Sequence, residues 1–437
     1  MATFTVEYLG CKVNQYEAEA LREGLEALGL VWTPGVAEAD LYILNTCSVT
    51  GHAGATSRKS IRRALRANPQ ARVLVTGCYA VSDRERVAAM EGVEHVFTND
   101  EKREIPRWVA SHVLDLPDPG EASPLRVTRM SGQTRAFLKV QDGCNDRCTF
   151  CIIPRLRGPA RSRGRAEVVA EARRLVAAGH REIVLTGVHL GYFGVESGRP
   201  RRELLALLRE LAEIPGLLRL KLSSIEVHEI TPELVDLLAG NPVFSPHLHL
   251  PLQSGSDRIL ARMRRRYNTR LFLERVELLR ERLDRPALST DVIVGFPGEG
   301  ADDFERTLEM VERARFMKTH VFPYSRREGT EAATMEGHLP PDVIQARRDA
   351  LLALDGRLGA EYRMGFLGEE VPVLIERRGE EGGGWLTGLT DRYVRVRLRG
   401  PLSLQGEIVP VRLEDALPDG AMVGTPAGDP CAAGEPA

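Results

Sequence analysis

From residue 3 to residue 362 the chain alternates short apolar runs of strand character with stretches of helical spacing. Successive strands joined by helices pair in parallel, and the helices cover the sheet faces. In the first part, residues 3–9, 41–45 and 72–76 read as strands, and residues 15–28, 53–68 and a stretch from about 83 read as helices. A doubly wound parallel sheet over residues 1–116 follows. A second α/β series occupies residues 135–365, with strands at 135–141, 182–186, 218–222, 247–250, 288–294 and 319–323. Six β/α units fall short of the eight of a full barrel, so a partial, open (β/α)6 barrel is expected. Beyond residue 366 the period changes to two: residues 371–376, 384–390, 393–398 and 408–413 are short strands separated by Gly, Asp and Glu. That is a small β-barrel of the oligonucleotide-binding type, placed at 366–425. Residues 117–134 lack periodicity and read as a linker, and 426–437 as a disordered tail. The fold class is α/β with a terminal all-β domain.

Seven cysteines in 437 residues are too few for a disulfide scaffold. Three stand in the loop Gly143-Cys144-Asn145-Asp146-Arg147-Cys148-Thr149-Phe150-Cys151, a C-x3-C-x2-C array that follows a strand directly. Three thiolates at such spacing can hold three irons of a [4Fe–4S] cluster and leave the fourth open. A zinc site or a disulfide pair is the competing reading. Zinc usually takes paired C-x2-C units or added histidines, and neither stands nearby.

Cys11, Cys47 and Cys78 each follow one of the first three strands. Ligands of an open parallel sheet gather beyond the carboxyl ends of its strands, where helix N-termini favour thiolates. These three are therefore expected to meet and hold a second [4Fe–4S] cluster, again with an open iron. The alternative is three unrelated buried cysteines. Cys431 in the tail reads as a bystander.

The formal net charge of −2 does not announce a nucleic-acid binder, but the arginines cluster. Arg58, Arg62, Arg63 and Arg66 share a helix with Lys59; Arg155, Arg157, Arg161, Arg163 and Arg165 follow the cysteine loop. Arg262, Arg264, Arg265 and Arg266 form a third group, and Arg392, Arg395, Arg397 and Arg399 a fourth. Such groups suit phosphate contact, although a charge run is more often a solvated face. No basic-then-apolar leader opens the sequence, and no apolar run reaches about 18 residues. A cytoplasmic location without a membrane partner is expected.

The C-x3-C-x2-C spacing resembles the radical S-adenosylmethionine (radical SAM) superfamily. With the N-terminal triad and the terminal barrel, the whole chain resembles the methylthiotransferases. The motifs are Asn45-Thr46-Cys47, Gly77-Cys78-Tyr79, Cys151-Ile152-Ile153-Pro154, Arg157-Gly158, Arg161-Ser162-Arg163, Leu250-Pro251-Leu252-Gln253-Ser254-Gly255-Ser256, Tyr324-Ser325 and Gly329-Thr330. The run Gly10-Cys11-Lys12-Val13-Asn14-Gln15-Tyr16-Glu17 resembles the branch acting on N6-threonylcarbamoyladenosine in tRNA. Other branches act on isopentenyladenosine in tRNA or on an aspartate of a ribosomal protein.

The resemblance implies two [4Fe–4S] clusters, one on Cys144, Cys148 and Cys151 and one on Cys11, Cys47 and Cys78. It implies S-adenosylmethionine as methyl donor and radical source, and a terminal RNA-binding domain of the TRAM type. Partners implied are tRNA, through the anticodon loop at position 37, and an electron donor such as flavodoxin or ferredoxin. The C2–H of the adenine would be replaced by C2–S–CH3. Cofactor contacts are expected from Phe150, from Thr186 and Gly187, from Ser223 and Glu226, from Gln253, and from Asp291, Ile293 and Gly295. RNA contacts are expected from Arg155, Arg157, Arg161, Arg163, Arg395 and Arg397. A non-catalytic iron–sulfur or zinc RNA-binding protein is the reading from a different class.

Overall fold

The computed structural model describes residues 1–48, 53–117, 120, 125–376 and 384–427. Cys431 and residues 428–437 of the expected tail lie outside that set.

The first domain is a five-stranded parallel sheet: β1 (Thr3–Tyr8), β2 (Val31–Trp32), β3 (Leu41–Thr46), β4 (Arg72–Gly77) and β5 (Val93–Val96), in the order β2-β1-β3-β4-β5. β3 is buried along its whole length, as a central parallel strand covered on both faces requires. The short edge strands β2 and β5 were not expected, because runs of two and four residues carry too little periodicity to stand out. The helix Lys12–Glu26 has two apolar faces. Leu21 and Leu25 pack in the core of their own sheet, whereas Tyr16 and Ala20 belong to the core of the next domain. The first domain is thus bound to the second by shared hydrophobic packing.

The second domain carries β6 (Ala136–Lys139), β7 (Gln141–Asp142), β8 (Arg161–Ser162), β9 (Glu182–Thr186), β10 (Arg219–Leu222), β11 (His247–His249), β12 (Ala287–Val294) and β13 (Lys318–Pro323). Parallel pairing runs β6-β9-β10 and β11-β12-β13. A parallel bridge from Leu220 to Phe244, and the Ile225 amide donating to the His249 carbonyl at 3.1 Å, join the two halves. Six parallel strands in sequence order make the open barrel. The stretch expected as a linker is partly core: Val127 and Met130 are buried, and the Met130 amide donates to Nε2 of His180 at 3.0 Å.

The last domain is a closed barrel of β14 (Glu370–Ile375), β15 (Trp385–Thr390), β16 (Arg395–Arg399), β17 (Ile408–Ala416) and β18 (Met422–Pro426), in the order β14-β15-β16-β18-β17. β18 runs into the expected tail; its Gly424 and Pro426 hide a strand from composition alone. The barrel docks through buried cations of β10. Arg219 donates to the carbonyls of Leu389 at 3.3 Å and Pro372 at 3.2 Å, and Lys221 donates to that of Thr390 at 3.4 Å.

Candidate active site

Cys11, Cys47 and Cys78 follow β1, β3 and β4, three neighbouring strands of one sheet. Cys11 caps the helix Lys12–Glu26, and Cys78 opens the helix Cys78–Ser82. Two glycines clear the space between them. A Cβ on Gly10 would stand 2.4 Å from Sγ of Cys47, and one on Gly77 would strike the backbone of Thr46 at 2.3 Å. Both glycines have positive φ, +89° and +95°, which a side chain would strain. Arg327 faces Cys47, and its Nη2 is buried without a hydrogen-bond partner. Three thiols outside any disulfide at adjacent strand ends, with an orphaned buried guanidinium nitrogen beside them, fit a sulfur-rich anionic group.

The second triad lies in the loop after β7. Gly143, at φ +69°, lets the chain pass Pro159, whose carbonyl oxygen would stand 2.0 Å from a Cβ. The loop is pinned at both ends: the Cys144 amide donates to the Gly158 carbonyl at 3.2 Å, and the Cys151 amide to that of Cys148 at 3.0 Å. Thr149 donates to the Arg262 carbonyl at 2.9 Å, and its own carbonyl accepts from Ala332 at 2.9 Å. Arg265 donates through Nη1 to Sγ of Cys148 at 3.2 Å and pairs with Glu226. Burial pushes the Cys144 thiol up to about 12 and Cys151 to about 11. Thiols this hard to ionise become good ligands only when a metal replaces the proton. The free thiols and the donor aimed at Cys148 fit a [4Fe–4S] cluster.

A buried ion cluster joins the two thiol sets. Arg157 donates to Glu17 at 2.9 Å, to Asp142 at 3.1 Å and to Asn14 at 2.7 Å. Lys139 pairs with Glu17 and Asp142, each at 2.6 Å, and Lys102 pairs with Glu17. Burial pushes Glu17 up, but Arg157, Lys102 and Lys139 outweigh it and hold the carboxylate well below its ordinary range. Asn99 adds a link, donating to the Leu156 carbonyl at 2.9 Å and lying 3.8 Å from Sγ of Cys78.

A cavity of about 1260 Å³ opens between the three domains. Cys11 and Lys12 reach it from the first domain, Thr186, Gly187, Ser223 and Asp291 from the strand ends of the second, and Tyr393 and Arg395 from the third. Phe150 and Ile293 lie outside its lining, packed beside Ile259, Met263 and Phe296. Glu226 lies beside the Cys148 loop through Arg265. Gln253 is buried, with φ +64°, and bridges to β12 through the Asp291 carbonyl at 2.8 Å and the Ile293 amide at 2.9 Å. A left-handed backbone at a residue other than glycine is a form of local strain that gathers at functional sites. Gly295 donates its amide to Glu299 at 2.7 Å.

The arginines divide. Arg157 is buried with its partners inside the protein, so it ties domains together rather than meeting RNA. Arg163 is half-buried and spends its guanidinium on Glu171 at 2.7 Å, Glu167 at 2.8 Å and the Tyr16 hydroxyl at 2.9 Å. Arg161 pairs with Asp100 at 2.7 Å and Arg397 with Asp419 at 2.9 Å, both at exposed sites. Arg155 is exposed and donates to the Gly329 carbonyl at 2.6 Å. Arg395 is exposed on the cavity. Sequence reasoning missed the cavity histidines. His249 and His320 stand with Asp291 so that one ligand atom of each lies within 4.8 Å of the others. The alternation His247-x-His249 beside Ser289-x-Asp291 was the available signal, since period-two positions share a strand face.

Residues 138–311 match the Radical SAM superfamily, and residues 3–98 match the Uncharacterized protein family UPF0004. The fold is similar to that of the radical S-adenosylmethionine methyltransferase TsrM from Kitasatospora setae, at TM-score 0.56 and 17% identity over 76% of this chain and 77% of that one. Fold and thiol loop together define a radical SAM enzyme. The chain is 38% identical to the threonylcarbamoyladenosine tRNA methylthiotransferase MtaB of Bacillus subtilis over 94% of each chain. It is 40% identical to the protein of that name from Chlamydia pneumoniae, over 86% of this chain and 87% of the relative. It is also 36% identical to the tRNA-2-methylthio-N(6)-dimethylallyladenosine synthase of Thermobifida fusca, over 85% and 78%. The protein belongs to the radical SAM methylthiotransferase family.

Proposed function

We propose that the protein converts N6-threonylcarbamoyladenosine at position 37 of tRNA to its 2-methylthio derivative. The observation that carries this reading is the pair of thiol sets flanking one inter-domain seam, in a chain 36–40% identical to relatives named for that activity. Cys144, Cys148 and Cys151 would hold one [4Fe–4S] cluster, and Cys11, Cys47 and Cys78 a second. The cluster and S-adenosylmethionine together supply a radical able to attack an unactivated aromatic C–H, for which acid–base groups have little purchase.

The chain's own part is to bind and orient. Arg265 donates to the Cys148 sulfur and fixes the loop, and the Glu17–Arg157 cluster holds the first domain in register with the barrel. Thr186, Ser223 and Asp291 offer polar groups to S-adenosylmethionine at the strand ends. The terminal barrel, with Arg395 on the cavity, and Phe322 of β13, a stacking face on the cavity wall, suit an anticodon loop with an extruded base. A flavodoxin or ferredoxin in the cytoplasm is the reductant this scheme requires.

Mass spectrometry of tRNA nucleosides tests it. Deleting the gene should remove 2-methylthio-N6-threonylcarbamoyladenosine and leave its precursor. Loss of the 2-methylthio-dimethylallyladenosine signal instead would overturn the substrate.

A further inference from the structure

The cavity wall carries a cation beside the thiols that has no counter-ion among the described residues. Lys12 is exposed there, next in sequence to Cys11. Among the described residues its ammonium makes no hydrogen bond and no salt bridge. Its ammonium stands 5.9 Å from the centroid of the Tyr393 ring.

The carboxylates of this junction are already committed. Glu17 is held by Arg157, Lys139 and Lys102. Glu182 pairs with Arg219 at 3.0 Å and Lys221 at 3.3 Å, and Glu376 with Arg135 at 2.5 Å. The charged groups that bear on Lys12 are Arg135, which repels it, and Glu182, which already serves two cations. The cavity's other carboxylates, Asp291, Asp355 and Asp419, face His249, Lys318 and Arg397, so none is left to pair with Lys12, and an anionic ligand group would complete its site.

The two substrates named for the relatives differ in this respect. A threonylcarbamoyl group keeps the free carboxylate of its threonine, whereas a dimethylallyl group is wholly apolar. Burying an unpaired ammonium against an apolar chain is costly, while pairing it with a carboxylate is favourable. We propose that Lys12 receives the carboxylate of the threonylcarbamoyl group and so selects an anionic N6 substituent over an apolar one. The inference rests on the function proposed above.

The test uses the reconstituted full-length enzyme. The substrates are one tRNA carrying threonylcarbamoyladenosine and the same tRNA with the threonyl carboxylate converted to its methyl ester. Product formation gives kcat/KM, and filter binding gives Kd. For the wild type, esterification should lower kcat/KM by about 10- to 100-fold, the scale of one hydrogen bond to a charged group. Lys12→Met should lose about that factor on the acid and no longer distinguish acid from ester, and Lys12→Arg should restore the discrimination. Equal turnover of acid and ester by the wild type overturns the proposal. So does a Lys12→Met enzyme that weakens on both alike and still prefers the acid, the result expected if Lys12 meets a tRNA phosphate or the cofactor carboxylate. The wild-type comparison stands even if a variant loses iron. A wild type that turns over neither tRNA would instead overturn the function proposed above.

Discussion

Arg157 donates to the Glu17 carboxylate at 2.9 Å, across the seam between the first domain and the barrel. Arg157 closes the helix that follows Cys151, and Glu17 lies on the helix that Cys11 caps. One buried ion pair thus couples the chain segments of the two thiol sets. Replacing Arg157 by Met removes the main partner of Glu17 and leaves Asp142 with Lys139 alone of its two close cations. The expected loss is about 3–5 kcal/mol, the cost of removing one partner from a buried pair. Thermal unfolding measures it; an unchanged midpoint would show that the clasp carries no stability.

Glu229 gives a pH signature. Burial raises its carboxyl to about 7, and His189, with Nδ1 at 3.5 Å, opposes that rise. An acid whose folded value lies above its unfolded value holds a proton more tightly in the native state, so its contribution to stability falls as pH rises from about 4.5 through 7. The full span is at most about 3 kcal/mol. Glu229→Gln, which mimics the protonated form, should flatten the decline in unfolding midpoint between pH 5 and 8. A slope unchanged by the substitution would contradict this.

Gly10→Ala should separate the two thiol sets. The added Cβ would meet Sγ of Cys47 at 2.4 Å, on a backbone with φ +89°. Cys47 must then shift, whereas the loop of Cys144, Cys148 and Cys151 is untouched. After reconstitution, iron should fall from about eight to about four per chain. S-adenosylmethionine cleavage should persist, and methylthiolation should cease. Full iron content with normal product would contradict the placement.

Arg265→Met addresses the other set. The Arg265 donor to the Cys148 sulfur withdraws electron density, and hydrogen bonds to cluster sulfurs are among the levers that set the potential. Its loss should shift the reduction potential of that cluster to a more negative value in a redox titration. A potential equal to that of the wild type would mean that the contact is only structural.

Much of this was legible because strands and cysteines obey local rules. The βα alternation and the positions of Cys11, Cys47 and Cys78 after their strands required only period and order. What stayed hidden was long-range polar pairing. Arg157 and Arg155 were both expected to meet RNA, yet the first is buried against Glu17 and the second lies on the surface. Tyr16 and Ala20 looked like ordinary positions of an amphipathic helix, but they belong to the neighbouring domain's core. β18 was hidden because Gly424 and Pro426 weaken its strand character, and barrel closure supplies what local propensity lacks.

The division of labour between the two thiol sets is tested most directly by one assay on Cys78→Ala. The reconstituted variant is given threonylcarbamoyladenosine tRNA, S-adenosylmethionine and reductant, and 5′-deoxyadenosine and 2-methylthio nucleoside are quantified in the same sample. The expected result is continued 5′-deoxyadenosine formation with no methylthiolated product. Methylthiolated product from this variant, or loss of cleavage in a folded chain that retains about four irons, would contradict separate roles for the two sets.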